Sequence, residues 1–160
     1  MEIKIKEEKN IRRNNTPPPR PNPAMKRLEP LIGTWDISGH ANCDEGEIYG
    51  RTHFEWIVGG FFLVQRFWMN FLGQKLQGIE VIGYDTSTKT FKSTVFSNNG
   101  INGPYYWDVQ ENIVSHWTED SHFRGVLNDE GTTLTGGWKP DKGKESAINI
   151  AYEAMMTRVD

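Results

Sequence analysis

The stretch Leu31-Ile32-Gly33-Thr34-Trp35 decides the fold, because it sets a glycine and a tryptophan at the start of the first strand-like segment. Its counterpart at the other end of the chain is Arg158, two residues before the C-terminus. A guanidinium group packs favourably over an indole ring, so this pair fits a first strand that lies beside the last one. The sequence therefore predicts an all-β protein, a closed antiparallel up-and-down barrel whose floor contains Gly33, Trp35 and Arg158.

The rest of the folded region alternates apolar and polar residues and is punctuated by Gly, Asn and Asp turns. A short helical turn is expected within residues 25–31, before the first strand. Ten strands in an open sheet would leave two unpaired edges, whereas closure removes both of them. The predicted strands are 32–41, 50–58, 60–71, 75–84, 90–97, 101–109, 112–119, 121–128, 132–139 and 147–159.

Length and composition indicate one folded domain with a tail. The chain has 160 residues, enough for a single domain with a substantial core. Residues 1–24 contain five of the eight prolines and are predicted to form a Pro-rich basic tail, while residues 25–160 form the barrel domain. The tail is interpreted as a solvated spacer, with two alternatives left open: a ligand for an SH3-like domain, or a segment across the barrel mouth.

Charge and cysteine content exclude several classes of protein. Residues 27–160 carry eleven basic and eighteen acidic side chains, so the folded body is acidic and binding of nucleic acid is not expected. Cys43 is the only cysteine, which excludes an intrachain disulfide. No apolar run has the length of a membrane span, and the N-terminus lacks the apolar core of a signal peptide. We therefore expect a cytoplasmic protein without membrane contact.

Four blocks in order along residues 28–159 resemble the lipocalin-like or calycin signature. Their fuller pattern resembles an uncharacterised bacterial domain family related to nitrobindin-like ten-stranded barrels. That resemblance implies a barrel with an internal cavity, in a group that includes retinoid, fatty-acid and haem binders and a few isomerases or cyclases. Nitrobindin-like members bind haem through a late histidine, whereas no histidine follows His122 here, so no cofactor is expected. The blocks are Leu31–Trp35, Val58–Gln65, Gln77–Asp85 and Met156–Arg158.

An aromatic wall and two polar side chains are predicted to line this cavity. Odd residues of 101–109 face inward, and even-length turns would carry that face first onto His116 and then onto Phe123. An odd loop or a bulge would instead bring Trp117, His122 and Arg124 inside. His116 is either a polar group of the cavity or a histidine bonded within the wall. Gln65 is either a ligand-orienting amide or a structural one. The predicted ligand-binding residues are Phe54, Trp56, Gln65, Phe67, Tyr105, Trp107, His116, Phe123 and Tyr152.

The sequence contains no recognisable catalytic or metal-binding motif. No two histidines stand at the i,i+2 spacing that would place metal ligands on one face of a strand, so no metal is expected. A GxSxG elbow, a P-loop and a CxxC motif are all absent. Glu55, Glu80 and Asp108 are carboxylates in strand segments, but nothing in their spacing pairs them. No catalytic residue is therefore assigned.

These observations favour binding of one small apolar or aromatic molecule inside the barrel. Two alternatives remain: an enzyme of the isomerase or cyclase kind that uses the same cavity, and a packed barrel that acts as an interaction module through its Pro-rich tail. Both faces of segment 60–71 are apolar, and either the tail or the partner subunit of a homodimer would cover the outer one.

Overall fold

The computed structural model describes residues 16–41, 44–147 and 149–160. The expectations for residues 1–15, Cys43 and Ile148 lie outside these ranges. One 3-10 helix, Pro23–Leu31, precedes ten strands. The strands are β1 Gly33–Ala41, β2 Asp44–Trp56, β3 Phe62–Phe71, β4 Gln74–Asp85, β5 Thr90–Ser97, β6 Pro104–Gln110, β7 Ile113–Trp117, β8 Ser121–Leu127, β9 Thr133–Pro140 and β10 Tyr152–Arg158.

The ten strands form a closed barrel in which every strand pairs antiparallel with the next one along the chain. Closure is made by β1 and β10, with Trp35 directly opposite Arg158. The prediction of a closed ten-stranded antiparallel barrel is thus confirmed, and the architecture is calycin-like. Because the pleat alternates, this register fixes which side chains of every strand point into the barrel.

The helix covers the end of the barrel at which β1 begins. Asn22 caps it, since its side-chain Oδ1 accepts a 2.9 Å hydrogen bond from the backbone N–H of Ala24. Met25, Leu28 and Leu31 are buried in the barrel core, so the helix acts as a lid over that end. In the described residues, no helix is long and apolar enough to cross a membrane.

The predicted floor is present and is held by hydrogen bonds as well as by stacking. The guanidinium carbon of Arg158 lies 4.2 Å from the ring centroid of Trp35, which is fully buried. Arg158 also donates to the backbone carbonyls of Pro30 at 2.8 Å and Gly131 at 2.9 Å. The indole N–H of Trp35 donates to the carbonyl of Leu31 at 2.8 Å. The floor therefore ties the first and last strands to the helix.

Gly33 is required at its position for two reasons. Its φ of 117° lies in a region that side chains with a Cβ rarely adopt. A Cβ there would also stand 2.6 Å from Nη1 of Arg158, which donates to the carbonyl of Ile32. Any larger residue at position 33 would push the guanidinium group of Arg158 away from the ring of Trp35.

Most strands begin within three residues of their predicted starts, and two begin further away. Strand β2 begins at Asp44, inside a stretch whose composition predicts a turn. Strand β10 begins at Tyr152, later than predicted, because the preceding residues form an irregular segment. In that segment the side-chain amide of Asn149 donates to the carbonyl of Lys144 at 2.8 Å, a local bond that competes with strand pairing.

Candidate functional site

The barrel interior has two halves that differ in how completely they are filled. In the closed half, next to the helix, inward side chains are buried; these are Trp35, Phe54, Leu63, Ile82, Phe91, Val109, Val114, Leu127 and Leu134. In the open half, at the other end, most inward side chains stay partly accessible, although Ala41 and Ile48 are buried. Solvent therefore reaches the space between these side chains, which we call the cavity. Its lining includes Ile37, Phe67, Met69, Tyr105, His116, Phe123, Trp138 and Tyr152.

Aromatic rings line one side of this cavity. Tyr105 and Trp138 meet edge to face with centroids 6.4 Å apart, and Phe123 lies 6.1 Å from Trp138. Tyr152 stands opposite Trp138 in the sheet and meets the ring of Phe71 at 5.1 Å. Rings in such arrangements hold one another through their quadrupoles and present flat apolar faces to the space between them.

Paired glycines make room for one of these rings. Gly125 and Gly136 lie opposite each other on β8 and β9 and face inward. A Cβ on Gly136 would collide with the carbonyl oxygen of Arg124 and would lie 2.8 Å from the ring of Phe123. The missing side chains therefore let the two strands approach closely and let Phe123 lie across them.

A buried polar cluster lies where the two halves meet, with one residue from each of four consecutive strands. Glu80 comes from β4, Ser93 from β5, Trp107 from β6 and His116 from β7. The hydroxyl of Ser93 and the indole N–H of Trp107 both donate to Oε1 of Glu80, the second at 2.7 Å. Nε2 of His116 lies 3.3 Å from the same oxygen, within ion-pair range but off the line of a good hydrogen bond.

The cluster keeps Glu80 ionised despite its burial. Its side chain is only 2% exposed, and desolvation by itself would raise the pKa of the carboxyl group. The adjacent imidazole of His116 and the donors from Ser93 and Trp107 outweigh that effect, so the pKa of Glu80 lies below its ordinary value. A buried carboxylate is thus held at the base of an otherwise aromatic cavity.

His116 is fixed by its neighbours on several sides. Its ring stacks on Trp107 with centroids 3.8 Å apart and planes inclined by 18°. Tyr105 and Trp138 each lie 5.1 Å from it. Burial, with a smaller contribution from the negative charge of Glu80, raises the pKa of Tyr105. Enclosure in the barrel likewise raises the pKa of Tyr152, so both phenols stay protonated at neutral pH.

The structure separates the predicted ligand-binding residues into two groups. Gln65, Phe67, Tyr105, His116, Phe123 and Tyr152 face the open half or its base. Phe54, Trp56 and Trp107 instead pack in or against the closed core, where Phe54 meets Trp107 edge to face at 6.1 Å. These last three residues were expected to contact the ligand because they point inward. Alternation along a strand predicts that direction, but it does not predict how far along the barrel axis a side chain lies. The turn lengths that carry the inward face onto His116 and Phe123 are as predicted.

Gln65 has a bonding partner within the wall. Its amide Nε2 donates to the hydroxyl of Thr52 at 2.9 Å, and it stands opposite Glu80 in the sheet. The hydroxyl of Thr52 in turn donates to the carbonyl of Arg66 at 3.2 Å. Gln65 is therefore oriented by a chain of hydrogen bonds and sits beside the carboxylate at the cavity base.

Sequence reasoning missed Trp138 and the pairing of Glu80. Spacing in the sequence indicates no partner for Glu80, whereas in the structure Ser93 and Trp107 donate to it and Nε2 of His116 lies 3.3 Å away. One signal was present: Glu80 shares its strand face with the apolar residues Leu76 and Ile82, so an inward carboxylate could have been inferred. Its partners could not, since they come from three other strands.

The remaining histidines lie outside this cluster. His53 Nδ1 is 2.9 Å from the hydroxyl of Thr34, and His122 Nδ1 is 2.9 Å from Asp141 on the outer surface. Across the described ranges, no three His, Cys, Asp or Glu side chains converge in the manner of a metal site.

Comparison with known proteins places this fold among solved structures and identifies the family. Rv2717c from M. tuberculosis superposes with a TM-score of 0.56 at 14% identity, covering 88% of this chain and 99% of that one. The S-type phycobiliprotein lyase CPES from Guillardia theta gives a TM-score of 0.50 at 11% identity, with 84% and 92% covered. No curated protein matches the sequence. Residues 20–106, more than half of the chain, match the family described as "Protein of unknown function (DUF1579)", and the protein belongs to that family.

Proposed function

We propose that the protein binds one small, largely apolar or aromatic molecule in the open half of its barrel. The observation that carries this proposal is that most side chains of that half stay partly exposed although they point into the barrel. Phe67, Tyr105, Phe123, Trp138 and Tyr152 would contact the molecule, because flat rings supply large apolar area with little loss of conformational entropy.

Polar groups at the base would orient the molecule. His116, held beside Glu80, and Gln65, held by Thr52, are the groups placed for hydrogen bonding at the depth where the closed core begins. A mostly apolar pocket with a few convergent polar groups is the usual form of a small-molecule site. This arrangement favours a molecule that is apolar along its length and polar at one end.

The similarities at the level of fold are consistent with this function. Closed barrels of this size commonly enclose one small ligand. One structural neighbour is named a phycobiliprotein lyase, which supports a ligand-handling role for barrels of this shape. The relation to nitrobindin-like barrels is retained in the proposal, but their haem is not, because no histidine follows His122.

A matched pair of phenylalanine variants tests the proposal. Phe123 faces the cavity, whereas Phe96 lies on the outer surface of β5 and is 51% exposed. Fluorescence titration with 2-methoxynaphthalene, an apolar aromatic probe, is expected to show binding that Phe123→Ala weakens about tenfold, since a ring contact is lost. Phe96→Ala should leave the affinity unchanged.

Native mass spectrometry of freshly purified protein gives an independent measurement, because a carried ligand would appear as added mass. Equal weakening by both variants, or no binding of either 2-methoxynaphthalene or 2-naphthol below the solubility limit, would contradict a site inside the barrel.

A second candidate function, an enzyme of the isomerase or cyclase kind, is favoured by the pair Glu80 and His116. A carboxylate that orients an imidazole is a recurrent arrangement for moving a proton to or from a bound molecule. This version predicts turnover that is lost in His116→Phe while the probe still binds. Binding without turnover of any compound that fits the cavity favours the carrier instead.

A further inference from the structure

The hydrogen-bonding pattern around Glu80 is one-sided. Its two described donors, the hydroxyl of Ser93 and the indole N–H of Trp107, both bond to Oε1, and Nε2 of His116 lies 3.3 Å from the same oxygen. The carboxylate therefore contacts these residues of the barrel wall through one oxygen, Oε1. Its negative charge lies next to one particular nitrogen of the histidine, Nε2.

The two ring nitrogens of His116 are in different surroundings. Nε2 is fully buried against the carboxylate. The side chain as a whole is 13% exposed, and the buried Nε2 does not account for that exposure. We infer that the accessible part of the ring includes the Nδ1 side, which faces the cavity.

This asymmetry determines which nitrogen carries the proton. A neutral imidazole has one N–H donor and one acceptor nitrogen, and the tautomer is set by the partner of either nitrogen. A carboxylate beside Nε2 stabilises a proton there and would repel the lone pair of an unprotonated nitrogen. The neutral ring therefore presents the lone pair of Nδ1 to the cavity, as a hydrogen-bond acceptor.

We propose that the cavity selects aromatic molecules that carry a hydrogen-bond donor, such as a phenolic hydroxyl, an enol or a ring N–H, which donates to Nδ1 of His116. Glu80 acts as a positioning residue that holds the tautomer, and Trp107 holds the ring plane by stacking. This inference rests on the proposed function, because it names the class of ligand for the same cavity.

Two probes of nearly equal shape test the proposal, 2-naphthol and its methyl ether 2-methoxynaphthalene. Transfer from water alone favours the ether, which has an additional methyl group. A donor-selective site should reverse that order, because the ether cannot donate and leaves Nδ1 without a partner. At a pH of about 8, 2-naphthol is expected to bind at least about tenfold more tightly.

Variants separate the role of the tautomer from the role of the ring. His116→Phe keeps a ring on Trp107 but removes both nitrogens, so the preference for 2-naphthol should disappear while both probes still bind. Glu80→Gln removes the charge that fixes the proton on Nε2, so the preference should fall to within about threefold. His122→Phe, on the outer surface, is the matched control and should retain the full preference.

Nitrogen-15 NMR of the wild-type protein, with His116 assigned by its loss in His116→Phe, observes the tautomer directly. A proton on Nε2 and a free Nδ1 are expected; a proton on Nδ1 at the same pH would overturn the proposal, as would equal affinity for the two probes. If neither probe binds, the cavity proposal itself fails, whereas equal binding defeats only the preference for a donor.

Discussion

The closed and open halves of the barrel are built from the same ten strands but are filled with different side chains. The closed half holds aliphatic residues and aromatic rings whose polar atoms are bonded within the wall, as for Trp35 and Trp107. The open half holds tyrosines, a histidine and inward glycines, which leave space between them. Burial in the closed half stabilises the fold, while the open half is where we propose that a ligand binds.

One continuous sheet thus places the packed core at one end of the barrel and the proposed ligand site at the other. Close packing in the closed half fixes the diameter and tilt of the strands, and these strands continue into the open half. The aromatic wall therefore needs few contacts of its own to remain in place. The polar cluster around Glu80 stands at the boundary and belongs to both halves.

The largest effect expected from this comparison is the loss of the floor tryptophan. Trp35→Ala should lower the free energy of unfolding by about 3–5 kcal/mol, because a large buried side chain leaves a cavity in a packed core. Trp138→Ala, in the open half, should cost only about 1–2 kcal/mol, since its ring already borders accessible space. Urea unfolding at constant m-value measures both.

Trp68 supplies the control for these two changes. It lies on the outer surface and is 49% exposed, so Trp68→Ala should change stability by less than about 0.5 kcal/mol. Equal losses for Trp35→Ala and Trp138→Ala would break the comparison, because the open half would then be packed as tightly as the closed one.

Much of the barrel could be predicted from sequence because its signals are periodic or terminal. Alternation shows which residues face inward, and the pair Trp35 and Arg158 fixes how the two ends of the chain meet. The faces that carry Tyr105, His116 and Phe123 followed from turn lengths alone. Each of these inferences depends on neighbours along the chain or on a single long-range pairing.

Depth along the barrel axis could not be predicted in the same way. Strand stagger decides which inward residues lie at one level, and it accumulates over all ten strands. For this reason Phe54 was expected on the ligand wall but packs in the closed core. The meeting of Glu80 with His116 was missed for the same reason, since two further strands lie between β4 and β7.

The boundary cluster gives the next largest effect. Glu80→Gln should lower stability at neutral pH by about 1–2 kcal/mol, because charge-assisted hydrogen bonds become neutral ones. The pKa of Glu80 is lowered in the folded protein, so its ionised form contributes stability above the ordinary value of 4.5, and this contribution is lost as the pH falls further. The variant should therefore lose less stability than the wild type on acidification.

Urea unfolding across this acid range measures the difference in slope. Glu55→Gln is the matched control, since Glu55 is an exposed carboxylate paired with Arg66 on the outer surface. If Glu80→Gln and the wild type lost stability in parallel below pH 4.5, the contacts of the cluster would not lower the pKa of Glu80.

The smallest effect concerns how the helix is held against the closed half. The guanidinium carbon of Arg27 lies 5.0 Å from the ring centroid of Phe91, and its Nη2 lies 3.3 Å from Oδ1 of Asp108. The side chains of Arg27 and Asp108 are both about one-third exposed. Arg27→Met should therefore cost less than about 1 kcal/mol, and a double-mutant cycle with Asp108→Asn should show weak coupling. Leu28 and Leu31 are fully buried, so apolar contact rather than charge should hold the lid. A loss of several kcal/mol on Arg27→Met would instead show that charge holds the helix in place, and the stability should then fall strongly as salt is added.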